Sequence, residues 1–151
     1  MVEVIKYPDP VLRKQTITVD FEEMSDLEIG SMYSAMLTAL VDNHGVGIAA
    51  PQVGIDRNAA IIQDREGKFI PVANLDISQR SGPYYAIEGC LSSPGIKRKV
   101  RRFTTVTVYY QDLFTGVKHK IRLTGLPAQV AQHEYDHLIG RTIEEYGTKI
   151  D

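Results

Sequence analysis

Two histidines separated by three residues are the most informative pair in this sequence. They stand in the run His133-Glu134-Tyr135-Asp136-His137. On a helix, residues i and i+4 project from one face, so both imidazoles can bind one metal ion. Glu134 would lie beside that ion without taking a ligand position, where a carboxylate can act as general base for a bound water. The pattern predicts a helical metal site that activates water, and a pair of surface histidines on an amphipathic helix is the alternative.

A catalytic metal site usually has three protein ligands and an open fourth position, so the sequence must supply one more ligand. Ile143 stands where metzincin proteases place a third histidine, and Glu144 and Glu145 follow too closely for the chain to turn back. Cys90 is the natural upstream candidate, because a thiolate is a strong ligand for Zn²⁺ and Fe²⁺. A lone cysteine is more often a small buried apolar residue, so both interpretations of Cys90 stay open.

Periodicity and turn residues predict the elements that must position these side chains. Ser25 and Glu28 fit a capping box, and apolar residues then recur at helical spacing until about Asn43. A second helix, the one that carries the histidines, is expected at Pro127–Ile139. Alternating β-branched, aromatic and apolar residues between the helices predict four strands, at Ala59–Gln63, Phe69–Leu75, Thr104–Gln111 and Val117–Leu123.

These elements predict a single α+β domain over residues 1–151, in which antiparallel or mixed β-sheets pack around a central C-terminal metal-binding helix, with one more helix near the N-terminus. Turn signals at Gly89 and Pro94 place Cys90 in a loop. This loop and the later helix must meet if the three candidate ligands are to converge.

Composition excludes several classes of protein. One cysteine rules out an intramolecular disulfide and indicates a reducing compartment. No apolar run approaches the ~18 residues of a membrane span, and the first residues do not resemble a signal peptide, so we expect a cytoplasmic protein with no membrane partner. A net charge of −2 indicates no general polyanion-binding surface, and no sequence-specific nucleic-acid partner is expected. We interpret the basic cluster as solvated surface; it comprises Lys97, Arg98, Lys99, Arg101 and Arg102.

Three ordered motifs resemble those of the peptide deformylases. They are Gly45-Val46-Gly47-Ile48-Ala49-Ala50-Pro51-Gln52-Val53-Gly54, then Glu88-Gly89-Cys90-Leu91-Ser92, and finally Gln132-His133-Glu134-Tyr135-Asp136-His137. The segment Tyr7–Arg13 is also similar to the family's opening segment. The similarity runs from about residue 4 to about residue 145.

The resemblance implies an α+β enzyme that removes the N-formyl group from the initiator methionine of new proteins and releases formate. By matching positions it implies one divalent ion, with ligands Cys90, His133 and His137. Glu134 would then be the acid/base. Gln52 and the backbone N–H of Leu91 would donate to the formyl oxygen. The native ion is implied to be Fe²⁺, with Zn²⁺, Ni²⁺ or Co²⁺ able to replace it.

Substrate-binding residues are predicted on three segments. A peptide that adds as a strand beside Val46 and Gly47 would need close backbone approach, although turn geometry is an equal explanation of the glycine. Gly89 is placed in the site by the second motif. Leu126 and Val130 lie one helical turn apart on the predicted metal helix and would wall a pocket for the methionine side chain, or belong to the core.

The expected partner is an N-formylmethionyl peptide. We expect the protein to be a monomer in a bacterial or phage-infected bacterial cytosol. Fourteen residues follow His137, whereas typical bacterial members continue into a C-terminal helix that is implied to contact the ribosome. The sequence thus resembles short, phage-encoded or divergent members, and a ribosome contact would be transient.

Two other functions stay open: a zinc-type metallopeptidase, and a catalytically silent relative that binds peptide termini. Glu134 argues against the second, because a structural metal site has no need of a carboxylate that is not a ligand.

Overall fold

A computed structural model describes residues 2–150, which contain a six-stranded antiparallel sheet and three α-helices. The strands are β1 (Ile48–Ala49), β2 (Ala59–Gln63), β3 (Phe69–Cys90), β4 (Ser93–Asp112), β5 (Lys118–Thr124) and β6 (Thr148–Lys149). The helices are α1 (Asp26–Asp42), α2 (Leu126–Leu138) and α3 (Ile143–Tyr146), and short 3₁₀ turns cover Pro10–Arg13 and Ala50–Val53. The spatial order is β1-β2-β3-β4-β5, and β6 pairs with β4. The predicted α+β class is confirmed.

Helix α1 begins where its capping box predicts. The Ser25 hydroxyl accepts a hydrogen bond from the backbone N–H of Glu28 at 3.1 Å, and the Glu28 carboxylate accepts one from the backbone N–H of Ser25 at 3.3 Å. These two bonds satisfy donors that the first turn leaves without intrahelical partners. The helix ends at the C-cap Asn43, as expected.

Strand β2 is covered on both faces. Its residues Ala59 and Ile61 pack against the buried side of α1, whereas Ala60 and Ile62 belong to the core around α2. A strand buried on both faces has a nearly continuous apolar sequence, which explains the run Ala59–Gln63. Helix α2 therefore lies against the sheet in the position predicted for the metal-binding helix.

Among residues 2–150, no helix has the length and hydrophobicity of a membrane-spanning segment.

The second and third predicted strands are much longer than expected. Strand β3 continues fifteen residues beyond Leu75, and β4 begins at Ser93 rather than at Thr104. The extended strand β3 passes through three residues with positive φ, which do not end it: Asn74 at 52°, Gln79 at 51° and Gly82 at 71°. Register shifts enclose Asn74, between Ala73 and Asp76, and Gln79, between Ser78 and Ser81, as expected of β-bulges that bend a strand without ending it.

A glutamine fixes α2 to the sheet. The Gln132 carboxamide accepts from the backbone N–H of Phe103 at 2.9 Å and donates to the carbonyl of the same residue at 2.8 Å. The pair of bonds sets the position of α2 along β4. The helix ends close to the predicted boundary, with Ile139 as C-cap and Gly140 at φ 81°. The short helix α3 was not predicted.

Gly140 is expected to be intolerant of any side chain. A Cβ there would lie 2.6 Å from the carbonyl carbon of Lys14, and the φ of 81° is unfavourable for other residues. We expect Gly140→Ala to lower the free energy of unfolding by about 2–3 kcal/mol, measured by urea denaturation. Gly95→Ala is the matched control, because Gly95 has φ of 77° but no atom within 4 Å of the added Cβ; it should cost about 1 kcal/mol. Equal losses in the two variants would contradict the close packing at Gly140.

Candidate active site

The three candidate ligands converge where the end of β3 meets α2. Their ligand atoms, from Cys90, His133 and His137, all lie within 4.8 Å of one another. The Cys90 Sγ is 3.2 Å from Nε2 of His137. Cys90 was predicted in a loop, and this was wrong: it is the last residue of β3 and pairs with Ser93 across a two-residue turn. The sulfur is therefore placed by the sheet.

The donor set fits a divalent metal ion. One thiol sulfur and two imidazole nitrogens are ligands that Zn²⁺, Fe²⁺ and related ions accept. Burial alone would raise the pKa of the Cys90 thiol, yet the imidazoles of His137 and His133 hold that pKa well below its ordinary value. The thiolate is the form that binds metals. With His133 bonded through Nδ1, its Nε2 remains as the ligand atom.

Glu88 holds His133 in place through a fully occupied carboxylate. Its Oε1 accepts from Nδ1 of His133 at 2.9 Å and from Arg102 at 2.8 Å, and its Oε2 accepts from Arg102 at 2.8 Å and from Gln129 at 3.0 Å. Burial would raise the pKa of Glu88, but the His133 and Arg102 bonds lower it to about 2. A fixed carboxylate on the outer nitrogen orients a ligating imidazole. Sequence reasoning named Glu88 only as part of a motif and missed this role.

Arg102 was assigned to the solvated basic cluster, and this was wrong. Its side chain is 3% exposed, and besides Glu88 it contacts Asp136 Oδ2 at 2.7 Å and the Tyr146 hydroxyl at 2.8 Å. Burial would lower the pKa of Arg102, but Glu88, Tyr146 and Asp136 raise it. The alternation of side chains along a strand could have indicated this position. Arg102 is two residues from the inward-facing Val100 on the same strand, so its side chain points to the same face.

Glu134 is buried beside the ligands without using a coordination position. Its Oε1 has no hydrogen-bond partner among residues 2–150, and burial raises the pKa of its carboxyl group to about 7. Gly47 allows this arrangement: a Cβ there would lie 2.8 Å from Oε2 of Glu134 and 2.6 Å from Cγ1 of Val130. The close approach at Gly47 is therefore made by α2. A carboxyl group with this pKa can accept and return a proton near neutral pH.

Gln52 is fixed with its amide group aimed at the ligand cluster. The side chain is 2% exposed. Its Oε1 accepts from the backbone N–H of Ala49 at 2.9 Å, so Nε2 points away, donating to Ser92 Oγ at 3.2 Å and lying 3.6 Å from Cys90 Sγ. Leu91 follows Cys90 and lines the same space.

A cavity of about 410 Å³ opens beside the cluster, and the predicted site residues lie around it. Apart from His137, which is 1% exposed, every predicted site residue lines it: Cys90, His133, Glu134, Gln52, Leu91, Val46, Gly47, Gly89, Leu126 and Val130. Val46 and Leu126 are about half exposed at 50% and 53%, while Val130 is buried at 3%. Val46 and Gly47 directly precede β1, the edge strand of the sheet. The predicted substrate contacts of Val46, Gly47, Leu126 and Val130 stay predictions.

Comparisons with known proteins agree with this geometry. The family model described as polypeptide deformylase matches residues 1–150. Peptide deformylase 2 of Xanthomonas axonopodis pv. citri is 32% identical over 148 residues, covering 97% of this chain and 86% of the relative. The chloroplastic/mitochondrial peptide deformylase 1B of Arabidopsis thaliana is 36% identical over 91% of this chain, but the chain spans only 51% of that plant protein. It spans a similar share of the rice chloroplastic relative, 52%.

A solved structure extends the agreement to the backbone. The Met-Ala-Ser-bound class I type b peptide deformylase from Acinetobacter baumannii has a TM-score of 0.87 and 29% identity, over 96% of this chain and 97% of the other. The family model covers nearly all of the sequence, and its match contains the cysteine and both histidines. The chain therefore belongs to the peptide deformylase family.

Proposed function

We propose that this protein hydrolyses the N-formyl amide of formylmethionyl peptides, releasing formate and a free α-amino group. The observation that carries the proposal is the buried Glu134 carboxyl group, whose Oε1 has no hydrogen-bond partner among residues 2–150 and which lies beside a Cys/His/His cluster in one cavity. A structural metal site has no use for such a group, since structural zinc is normally closed by four protein ligands. Here the cluster has three candidate ligands, the number found in catalytic sites, rather than the four of a closed structural site.

In the proposed reaction, Glu134 moves one proton. A divalent ion held by Cys90, His133 and His137 would supply Lewis acidity, lowering the pKa of water from 15.7 to about 7. Glu134 accepts a proton from water as oxygen adds to the formyl carbon. It then donates that proton to the amide nitrogen as the C–N bond breaks. The overall reaction consumes one water and gives formic acid and the amine, and the acid's proton passes to the amine to leave formate and an ammonium group near neutral pH.

Gln52 and the backbone N–H of Leu91 are proposed to stabilise the negative charge that develops on the formyl oxygen. The Gln52 amide is oriented by the backbone N–H of Ala49, and its Nε2, which bonds Ser92 Oγ here, would redirect one N–H to the developing charge. We expect Gln52→Ala to lower kcat/KM by about 10²–10³-fold, measured as formate release from formyl-Met-Ala-Ser. The metal content should stay at that of the unmodified protein. An unchanged rate would remove Gln52 from the mechanism.

The substrate is proposed to enter as an extra strand at the sheet edge. Strand β1 is an edge strand, and Val46 and Gly47 extend its line along the cavity. Backbone addition to an exposed edge is a common mode of peptide recognition. Leu126 and Val130 would then contact the methionine side chain, and Gly89 would lie on the opposite side. The Met-Ala-Ser complex of the Acinetobacter relative supports peptide binding in this family.

The cellular setting is also a proposal. We propose Fe²⁺ as the native ion, with Zn²⁺, Ni²⁺ or Co²⁺ as working replacements, because a Cys/His₂ set suits them all. The proposed active form is a monomer, since the ligands, Glu134 and the cavity walls all come from one chain. It would act in a bacterial-type cytosol, in transient contact with the ribosome, as nascent chains emerge. The single free cysteine is consistent with a reducing compartment.

One assay tests the proposed function against its alternatives. The metal-loaded protein is incubated with formyl-Met-Ala-Ser and, separately, with unformylated Met-Ala-Ser. We expect formate from the first peptide and no cleavage of the second. Cleavage of an internal peptide bond would indicate a metallopeptidase, and binding of both peptides with no reaction would indicate a silent peptide-binding relative.

A further inference from the structure

The outer face of the β3–β4 hairpin carries a regular strip of cations and apolar side chains. On β4, Lys97, Lys99 and Arg101 alternate with inward-facing residues and are all exposed. On β3, Tyr85 pairs with Arg101 and Ile87 pairs with Lys99. We call these five residues the basic strip. Residues two apart on a strand share a face and lie about 6.6–6.8 Å apart, so the cations are evenly spaced.

The basic strip combines two exposed large side chains with cations that have no acidic partner among residues 2–150. Tyr85 is 64% exposed and Ile87 is 62% exposed, beside the cations. The Lys99 ammonium lies 4.8 Å from the centre of the Tyr85 ring. None of the three cations forms an ion pair within 4.0 Å of an acidic side chain among residues 2–150. The inward-facing Arg102, in contrast, is neutralised by Glu88 and Asp136.

The basic strip is continuous with the active-site cavity. Ile87 and Lys97 line the cavity mouth. The Lys97 ammonium lies over Gly89, where an added Cβ would be 2.9 Å from Nζ. Gly89 immediately precedes the ligand Cys90. A chain that leaves the cavity on this side therefore meets Lys97 first, then Lys99 and Arg101.

We infer that the basic strip binds the downstream part of the substrate chain and favours acidic residues there. The inference rests on the proposed function, in which the cavity binds the formylated end of a peptide. A cavity of about 410 Å³ has room for only the first residues, so the rest of the peptide must leave it. An extended chain presents alternate side chains to one face at the same spacing as the cations. Acidic side chains would pair with the cations, and Tyr85 and Ile87 would contact the apolar parts of the peptide.

A peptide suits the basic strip better than a nucleic acid does. Affinity for nucleic acids comes from many phosphate contacts, commonly six to ten cations. The strip offers three, on a chain with a net charge of −2. Its position at the mouth of the cavity also favours the molecule that already occupies that cavity.

The test compares amidated peptides that differ in charge at matched positions. The acidic peptide is formyl-Met-Ala-Ser-Asp-Ser-Asp-NH₂, and the neutral and basic peptides carry Asn or Lys at both Asp positions. With metal-loaded protein at low salt, we expect kcat/KM for the acidic peptide to exceed that for the neutral peptide by about three- to tenfold, with the basic peptide slowest. At about 1 M salt, where the Debye length is only 3 Å, the ratio should approach one.

Paired variants assign the effect to the basic strip. Lys99→Gln/Arg101→Gln should bring the acidic-to-neutral ratio close to one. Lys118→Gln/Lys120→Gln removes the same charge from exposed positions of β5, outside the strip, and should keep the ratio of the unmodified protein. Circular dichroism checks folding, and exposed substitutions usually change stability by no more than about 0.5 kcal/mol.

The outcomes separate this inference from the proposed function. Formate release at equal rates from all three peptides would overturn the inference alone. If no peptide releases formate, the proposed function fails, and calorimetric binding of Met-Ala-Ser-Asp-Ser-Asp-NH₂ against its Asn counterpart still tests the strip; equal affinities overturn the inference. It is also overturned if Lys99→Gln/Arg101→Gln weakens binding of an oligouridylate without changing the peptide ratio.

Discussion

Glu134→Ala is expected to lower kcat for formate release from formyl-Met-Ala-Ser by about 10²–10⁴-fold while one metal ion per chain is retained. The carboxyl group is buried, its pKa is raised to about 7, and its Oε1 has no partner among the described residues, so it is free to move a proton. It is not one of the three converging ligands. Formate is measured by a coupled assay and metal by elemental analysis of the same sample.

Glu145→Ala is the matched control for Glu134. Glu145 is a carboxylate on α3 that does not line the cavity and contacts Arg13 at 3.5 Å. This variant should retain the rate of the unmodified protein. Glu134→Gln, which keeps the shape but cannot move a proton, should be as slow as the alanine variant. Formate release by Glu134→Ala at an undiminished rate would show that another group acts as the base.

Cys90→Ala is expected to lower the affinity for the metal ion by more than about 100-fold, and activity should fall with metal content. Loss of groups that merely orient a ligand typically costs 10–100-fold, and loss of the ligand itself should cost more. The Cys90 sulfur is held 3.2 Å from Nε2 of His137, and the neighbouring imidazoles favour its thiolate. Metal content after dialysis against a weak chelator is the measurement.

Ser93→Ala controls for disturbance of the turn next to Cys90. Ser93 is the cross-strand partner of Cys90, and its hydroxyl donates to Glu144 at 2.9 Å rather than to a candidate ligand. This variant should bind metal like the unmodified protein. Stoichiometric metal in Cys90→Ala after the same dialysis would refute the ligand role of the sulfur.

The parts of the site that depend on local sequence were predictable. His133 and His137 are four residues apart on one helix, so their shared face follows from helical geometry alone. The capping box at Ser25 is likewise local, and it set the start of α1 correctly. For Cys90, in contrast, residue chemistry left two interpretations open, and the resemblance to a family of known enzymes chose between them. The structure then placed the sulfur beside the imidazoles.

The parts that depend on long-range pairing were not predictable. Asn74, Gln79 and Gly82 all have positive φ, yet pairing of β3 with β4 continues past them, with register shifts around Asn74 and Gln79. The same hairpin turns Arg102 inward. Its partners Glu88 and Asp136 are 14 and 34 residues away, so no short window of sequence contains the pair.

The hydrogen bonds and the ion pair between β4 and α2 have a consequence for how the protein acquires its ion. Gln132 bonds the backbone of Phe103, and Arg102 bonds Asp136, so hairpin and helix are joined by groups that are not ligands. In zinc fingers, by contrast, the ion itself drives folding. The chain should thus fold before loading, and the supply of divalent ions in the cell would then decide which one it carries. Growth medium and purification buffer are expected to change the specific activity of preparations whose polypeptide is identical.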